Sequence, residues 1–393
     1  MIENVTPFAS AMYRKMGYLK AEDQVLALRG TLRLQELGEP LHVAKLQRPL
    51  RWGETMSEPT AEMLRGVLCE DGDVVSAKRS TDIHVSGSLQ SPTGHALEGW
   101  TAAVRVGPVA SSMRVHGPRL FQRQLTGWRL TKAQPIEQVR LDYRQAFGGL
   151  WLADDGPATA DRTDYVSHDT NPAGCGWLPL EQDLACLSKA QRQAISARIR
   201  SLRELPAPQF ESTDHSISHP QDRHAAKGWG PIARWWSPRR QRQGSFDDIW
   251  RKYRAPEWPS DFDPAYFNSA HPDLTAPHWL AGDEDIALLN CTAQGERTAN
   301  GDRLWRTRLP GFAMYAYAQF ASGREQFTAL TLSTVHIDLD ASEVMLTWHG
   351  CWPPDDEVSR VLIGGMSLAD WRASPAAQLR PYSSWNEQRA MTK

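Results

Sequence analysis

The stretch Val25–Leu34, VLALRGTLRL, decides the fold class. Leu26, Leu28, Leu32 and Leu34 fall on one side of a two-residue period, and Arg29, Thr31 and Arg33 fall on the other. That alternation predicts a strand with one face on a core and one face in water. Outward from it, shorter runs of the same kind follow at Thr81–Ser86 (TDIHVS), Thr101–Val106 (TAAVRV) and Ser112–His116 (SMRVH). Turn signals such as Ser91-Pro92-Thr93-Gly94 and Gly107-Pro108 separate them. Strands broken this often point to a sandwich or open barrel rather than to β-α-β units. Further strands are expected at Asp285–Cys291, Ala313–Phe320, Gln326–Thr334 and Val344–His349.

The middle reads differently. Glu181–Leu205 keeps Leu184, Leu187, Ala194, Ile195, Ile199 and Leu202 at helical spacing, and Pro206 stops it. Ser245–Arg254 predicts a second helix, with Ser245 as N-cap and Phe246, Ile249, Trp250 and Tyr253 as its apolar stripe. The expected fold is therefore mainly β with some α. A sandwich-like N-terminal β domain spans 1–145, and an irregular central region with helices near 181–205 and 245–254 spans 146–260. A C-terminal β domain covers 261–380, and 381–393 reads as a loose tail.

Composition sets the bounds. The chain has 393 residues, 41% of them hydrophobic, which suits two or three globular domains and excludes a largely disordered chain. A net charge of −2 provides no global field for nucleic acid or an anionic membrane, and neither partner is expected. No apolar run is long enough for a membrane span, and the opening MIENVTPFASAMYRKMGYLK lacks the features of a secretory signal, so a cytoplasmic location is expected. Cys69, Cys175, Cys186, Cys291 and Cys351 are odd in number, scattered and without a C-x-x-C pair, as reduced thiols would be. The 16 Trp are the unusual feature, since an indole is costly to leave wet.

Catalytic signatures do not emerge. The sequence has no phosphate-binding loop, no H-E-x-x-H and no G-x-S-x-G. His215, His219 and His224, with Asp214 and Asp222, have zinc-compatible chemistry, but Pro220 and the polar surroundings favour a solvated loop. His336, Asp338 and Asp340 share one face of a strand and are weak metal candidates; the plainer expectation is the wet side, with Ile337 and Leu339 inward. Arg234, Arg239, Arg240, Arg242, Arg251, Lys252 and Arg254 are interleaved with Trp235, Trp236 and Trp250. Internal ion pairs or a patch for an acidic partner are expected there rather than a nucleic-acid groove.

The most informative residues are short Gly, Pro and aromatic motifs. They are Tyr143–Gly149 (YRQAFGG), Asn171–Gly176 (NPAGCG) and Gly228–Arg239 (GWGPIARWWSPR). Gly244–Asp247 with Trp250, Asp261–Asp263 with Asn268, and Leu280–Glu284 (LAGDE) follow in that order. In this order the set resembles a bacterial family known only as a domain of unknown function (number twenty-one sixty-nine), associated with type VI secretion, over roughly residues 20–355. Departures from the family pattern are Cys175 in place of a basic residue, Ser245-Phe246 in place of Thr-Tyr, and the segment 181–205, which looks inserted.

The resemblance implies a cytoplasmic adaptor or chaperone that binds a PAAR-containing effector and helps to load it onto the VgrG spike. It implies no catalytic set and no cofactor. The candidate residues, for partner binding or for bracing the loops, are Arg144, Phe147, Gly148, Gly149, Asn171, Pro172, Gly174, Gly176, Gly230, Pro231, Trp235, Trp236, Pro238, Arg239, Asp261, Asp263, Asn268, Gly282, Asp283 and Glu284. Trp258 joins Trp235 and Trp236 as core or anchor. The competing expectation is a hydrolase using the His336–Asp340 face, or a carbohydrate-binding protein presenting Trp platforms.

Overall fold

Glu22–Arg33 forms a strand inside a six-stranded sheet, as its alternation predicts. It pairs antiparallel with Ala9–Met16 on one side and with Glu343–Trp352 on the other. Glu343–Trp352 pairs in turn with Thr331–Asp338, which runs parallel to Asp82–Ser86. His42–Val43 continues the lane beyond Ala9, opposite Leu32 and Arg33. This computed structural model describes residues 1–17, 22–34, 37–58, 66–76, 78–154, 156, 159 and 161–378; the expected tail 381–393 lies outside them.

A second six-stranded sheet has the order Phe210–Ser212, Val109–His116, Gly99–Val106, Asp285–Leu289, Arg303–Arg308 and Glu296–Arg297. A four-stranded sheet joins Ile2–Asn4, Val358–Ser367, Phe312–Phe320 and Glu325–Ala329. The chain is mainly β, with 40% of residues in strands and 12% helical. Both six-stranded sheets combine strands from 1–145 with strands from 261–380, so backbone hydrogen bonds bind the two β segments to each other. One large buried cluster takes in Leu26, Leu28, Trp100, Val104, Met314, Trp348 and Ile363 from all three sheets. Smaller cores form around Phe121, Phe147, Trp177 and Ile195, and around Phe262, Tyr266 and Phe267.

Four details depart from the sequence expectations. The polar side of Glu22–Arg33 is largely not wet: Arg29 is buried against Asp73 and Thr31 under Ala44, Gln47 and Arg48, and Arg33 at the strand end reaches solvent. The single helix expected over 181–205 is a 3₁₀ turn at Asp183–Cys186, an α-helix at Lys189–Ser201 and a strand at Glu204–Pro206. Ser188 restarts the helix through a reciprocal capping box with Gln191. The helix expected from Ser245 runs only over Asp248–Tyr253, with Asp247 as its cap, because Ser245 is held by Asp261 instead. Its apolar stripe faces water, with Phe246, Ile249 and Tyr253 at 40%, 70% and 71% exposure. Lastly, Gln326–Thr334 is split at Leu330 between the four-stranded and the first six-stranded sheet, and no Gly or Pro marks the crossing.

Candidate functional site

The motif loops are laid against one another. Phe147-Gly148 pairs parallel with Cys175-Gly176, which sets YRQAFGG beside NPAGCG. Asn171 is fully buried and donates its amide to the carbonyls of Tyr143 at 2.7 Å and Phe147 at 3.2 Å. Gly148 has φ +154°, and a Cβ there would lie 2.1 Å from the Asn171 carbonyl oxygen, so only glycine fits. Gly149 and Gly176 also take positive φ, Gly174 packs under the Asn171 amide, and Pro172 sits in the turn between. Arg144 points outward and grips Asp142.

The third motif covers this pair. The Tyr143 ring meets Trp236 edge-on at 5.5 Å, lies over Gly228 and donates its hydroxyl to the Gly230 carbonyl at 3.3 Å. Trp236 is buried, whereas Trp235 and Trp258 are partly buried against the large and the Phe262 clusters respectively. Pro231 and Pro238 are in the irregular backbone on either side. Arg239 is buried and donates to the carbonyls of Ile232 at 2.7 Å and Tyr266 at 3.0 Å; its guanidinium also lies 3.8 Å from the carboxylate of Asp71. Burial alone would raise Asp71, but the charges of Arg239 and Lys78 hold it below the usual carboxylate range.

The fourth and fifth motifs attach to the same frame. Asp261 accepts from the Ser245 amide at 2.9 Å and hydroxyl at 2.8 Å. Asp263 caps the 3₁₀ turn Pro264–Phe267 through the Ala265 amide. Asn268 donates to the Ser80 carbonyl at 3.0 Å and to Asp82 at 2.9 Å. The last motif lies elsewhere. Glu284 accepts from the amides of Ala281 and Gly282 and packs against Gly107, while Asp283 faces Arg372 at 3.0 Å.

The basic run at 234–254 is largely neutralised within the fold. Arg234 pairs with Glu54, Arg240 with Asp169, Arg242 with Asp263, Arg251 with Asp248, and Arg254 with Glu257.

The weak metal candidates do not converge. His336, expected on the wet side of its strand, is instead buried, because Ser86 on the neighbouring strand and Arg51 pack over its ring. Its Nε2 lies 2.8 Å from the Ser86 hydroxyl and its Nδ1 3.5 Å from Arg51. Asp338 accepts from the Ala341 amide, and Asp340 accepts from the Ser88 amide beside Arg140. His215 and His224 stack in parallel at 5.6 Å on the wall of a cleft of about 460 Å³, with Asp214 also lining it. His219 is turned to accept from the Gln221 amide, and Asp222 accepts from the amides of Ser218 and His219. Among the described residues, no group of three or more His, Cys, Asp and Glu side chains is placed to hold a metal ion.

A polar layer that the sequence did not announce lies between the first sheet and the segment above it. Asp73 receives Arg29 at 2.7 Å and Thr347 at 2.9 Å, and its carbonyl faces His349 Nε2 at 2.7 Å. Lys78 bonds Asp82 at 2.7 Å, and the His84 ring lies 3.3 Å from the Ser269 hydroxyl. The Ser333 hydroxyl sits 2.7 Å from His349 Nδ1, a nucleophile-and-base contact, but both side chains are sealed from solvent. Burial lowers His84 and His349 to about 4. The only trace in sequence is the acidic and basic spacing of Glu70–Asp82 opposite a strand face of His and Thr.

A family model described as an uncharacterised protein conserved in bacteria (DUF2169) matches residues 20–349. The chain belongs to this family. The DUF2169 match takes in all six motifs and the first sheet apart from Ala9–Met16 and the last residues of Glu343–Trp352. Its description carries no activity and no partner. No curated protein and no solved structure matches the chain.

Proposed function

We propose that this DUF2169 protein is a cytoplasmic adaptor that binds a type VI secretion effector through its PAAR-type region and helps to load it onto the VgrG spike. The secretion system and partner rest on the resemblance carried by the motif order. One structural observation supports binding over catalysis: the Asn171 amide nitrogen, the Arg239 guanidinium, the Asp261 carboxylate and the Asn268 amide nitrogen are engaged by neighbouring loops. Clefts of about 300, 410 and 460 Å³ are lined by other residues. Loops fixed in this way lose little entropy when a partner docks, whereas a catalytic role would leave reactive groups facing a cavity. The exposed face of Asp248–Tyr253, with Phe246, offers aromatic contact beside these loops.

The test is co-purification of the tagged protein with the PAAR-containing effectors encoded beside it. Retention of one, and its loss from the Ile249→Glu/Tyr253→Ser variant, is the expected result. Failure to retain any such effector overturns the reading.

A further inference from the structure

Among the described residues, Trp52 is the only exposed tryptophan, at 66%. The same short run, His42–Trp52, also leaves Leu46 at 80% and Val43 half in water. This exposure does not come from a loose loop. The Ala44 amide bonds the Thr31 carbonyl at 2.9 Å, and the Gln47 side chain takes both the amide and the carbonyl of Thr31, at 2.8 and 3.0 Å. The Arg48 amide bonds the Thr31 hydroxyl at 3.0 Å, and the backbones of Arg51 and Asp73 are joined at 2.8 Å. The run is thus pinned to the first sheet, with Leu50 buried beneath it and Leu46 and Trp52 left in water.

Its charge is one-sided. Arg33 and Arg48, both more than half exposed, share the single buried carboxylate of Glu343 at 3.7 and 2.9 Å. Lys45 is exposed and has no acidic partner among the described residues. The Arg234–Arg254 run differs, since most of its cations have a carboxylate of their own. Trp52 is four residues from Arg48, so chain geometry keeps their Cα atoms within about 14 Å, the reach of one short peptide segment.

We propose that His42–Trp52 is a docking surface for an acidic, amphipathic segment of a partner protein, with Trp52 and Leu46 as apolar anchors and Lys45, Arg48 and Arg33 meeting its carboxylates. Rigid backbone, an aromatic anchor and a basic rim are what such a ligand requires. The surface does not depend on the partner being a secretion effector.

Fluorescence anisotropy of the full chain with a labelled peptide of Glu and Asp alternating with Leu and Phe at helical spacing tests the proposal. Binding is expected to weaken with added salt and to fall roughly tenfold in Trp52→Ala, Leu46→Ala and Lys45→Glu. All three side chains are exposed, so unfolding midpoints should stay unchanged and separate lost contacts from lost fold. No binding, equal binding of a Lys-substituted peptide, or unchanged binding by the three variants overturns the proposal. Binding to phosphatidylserine vesicles but not to the peptide also overturns it and assigns the surface to lipid.

Discussion

Arg29 and Asp73 meet at 2.7 Å with their side chains only 2% and 6% exposed, joining the centre of the first sheet to the segment above it. Burial pushes the Asp73 carboxyl up, and the Arg29 charge pulls it below the usual range. Removing one member leaves the other charge buried and unpaired, so Arg29→Met should destabilise the protein by ~3–5 kcal/mol. Urea unfolding reads this directly; a loss below ~1 kcal/mol would mean that water reaches the site.

The same layer predicts acid sensitivity. His84 and His349 are held near 4 in the fold, against 6.5 for the free side chain. The unfolded chain therefore binds more protons between these values, and stability is fully present above pH 6.5 and falls as pH drops toward 4. Each histidine accounts for up to roughly 3 kcal/mol. Below that window the depressed carboxyls of Asp71, Asp73 and Asp82 add a further loss. Unfolding midpoints measured from pH 8 to 3.5 should be flat and then fall; a flat profile throughout contradicts the buried neutral histidines.

Asn171 offers a sharper test than truncation. Asn171→Asp keeps the shape but sets a carboxylate against the carbonyls of Tyr143 and Phe147, where the amide now donates. It should therefore cost more than Asn171→Ala, whose loss is ~2–3 kcal/mol for the buried carbonyls left unmet. The reverse order in a denaturation series would exclude the donor role.

Thiol chemistry reports the packing without mutation. Cys69 and Cys186 are exposed, Cys291 and Cys351 are buried, and burial raises Cys175 to about 12. A thiol reagent should modify two cysteines quickly in the native protein and the other three only on unfolding. Fast reaction of a third thiol would mean that the partly exposed Cys175 thiol is not held protonated by its surroundings.

Period-two strands were legible where one face is apolar, as in Glu22–Arg33, Gly99–Val106 and Phe312–Phe320. The alternation did not reveal that Arg29 and Thr31 on the polar face of Glu22–Arg33 are also buried, because that burial depends on Asp73 and Gln47 arriving from other segments. Helix ends were misread for a similar reason. Ser245 has the right chemistry for a cap, yet Asp261, sixteen residues later, holds it outside the helix. The motif loops could be located but not sorted into bracing and contact roles, since Asn171 and Arg239 look as reactive in sequence as any surface polar residue. Trp52 was hidden among the 16 Trp, as composition does not say which one stays wet.

Glu22–Arg33 lies between Ala9–Met16, made just before it, and Glu343–Trp352, made more than three hundred residues later. A nascent chain leaving the ribosome therefore carries an open, apolar strand edge until Trp352 has emerged. Such distant pairing makes for slow folding and sticky intermediates, so chaperone occupancy during synthesis should persist until that late strand emerges.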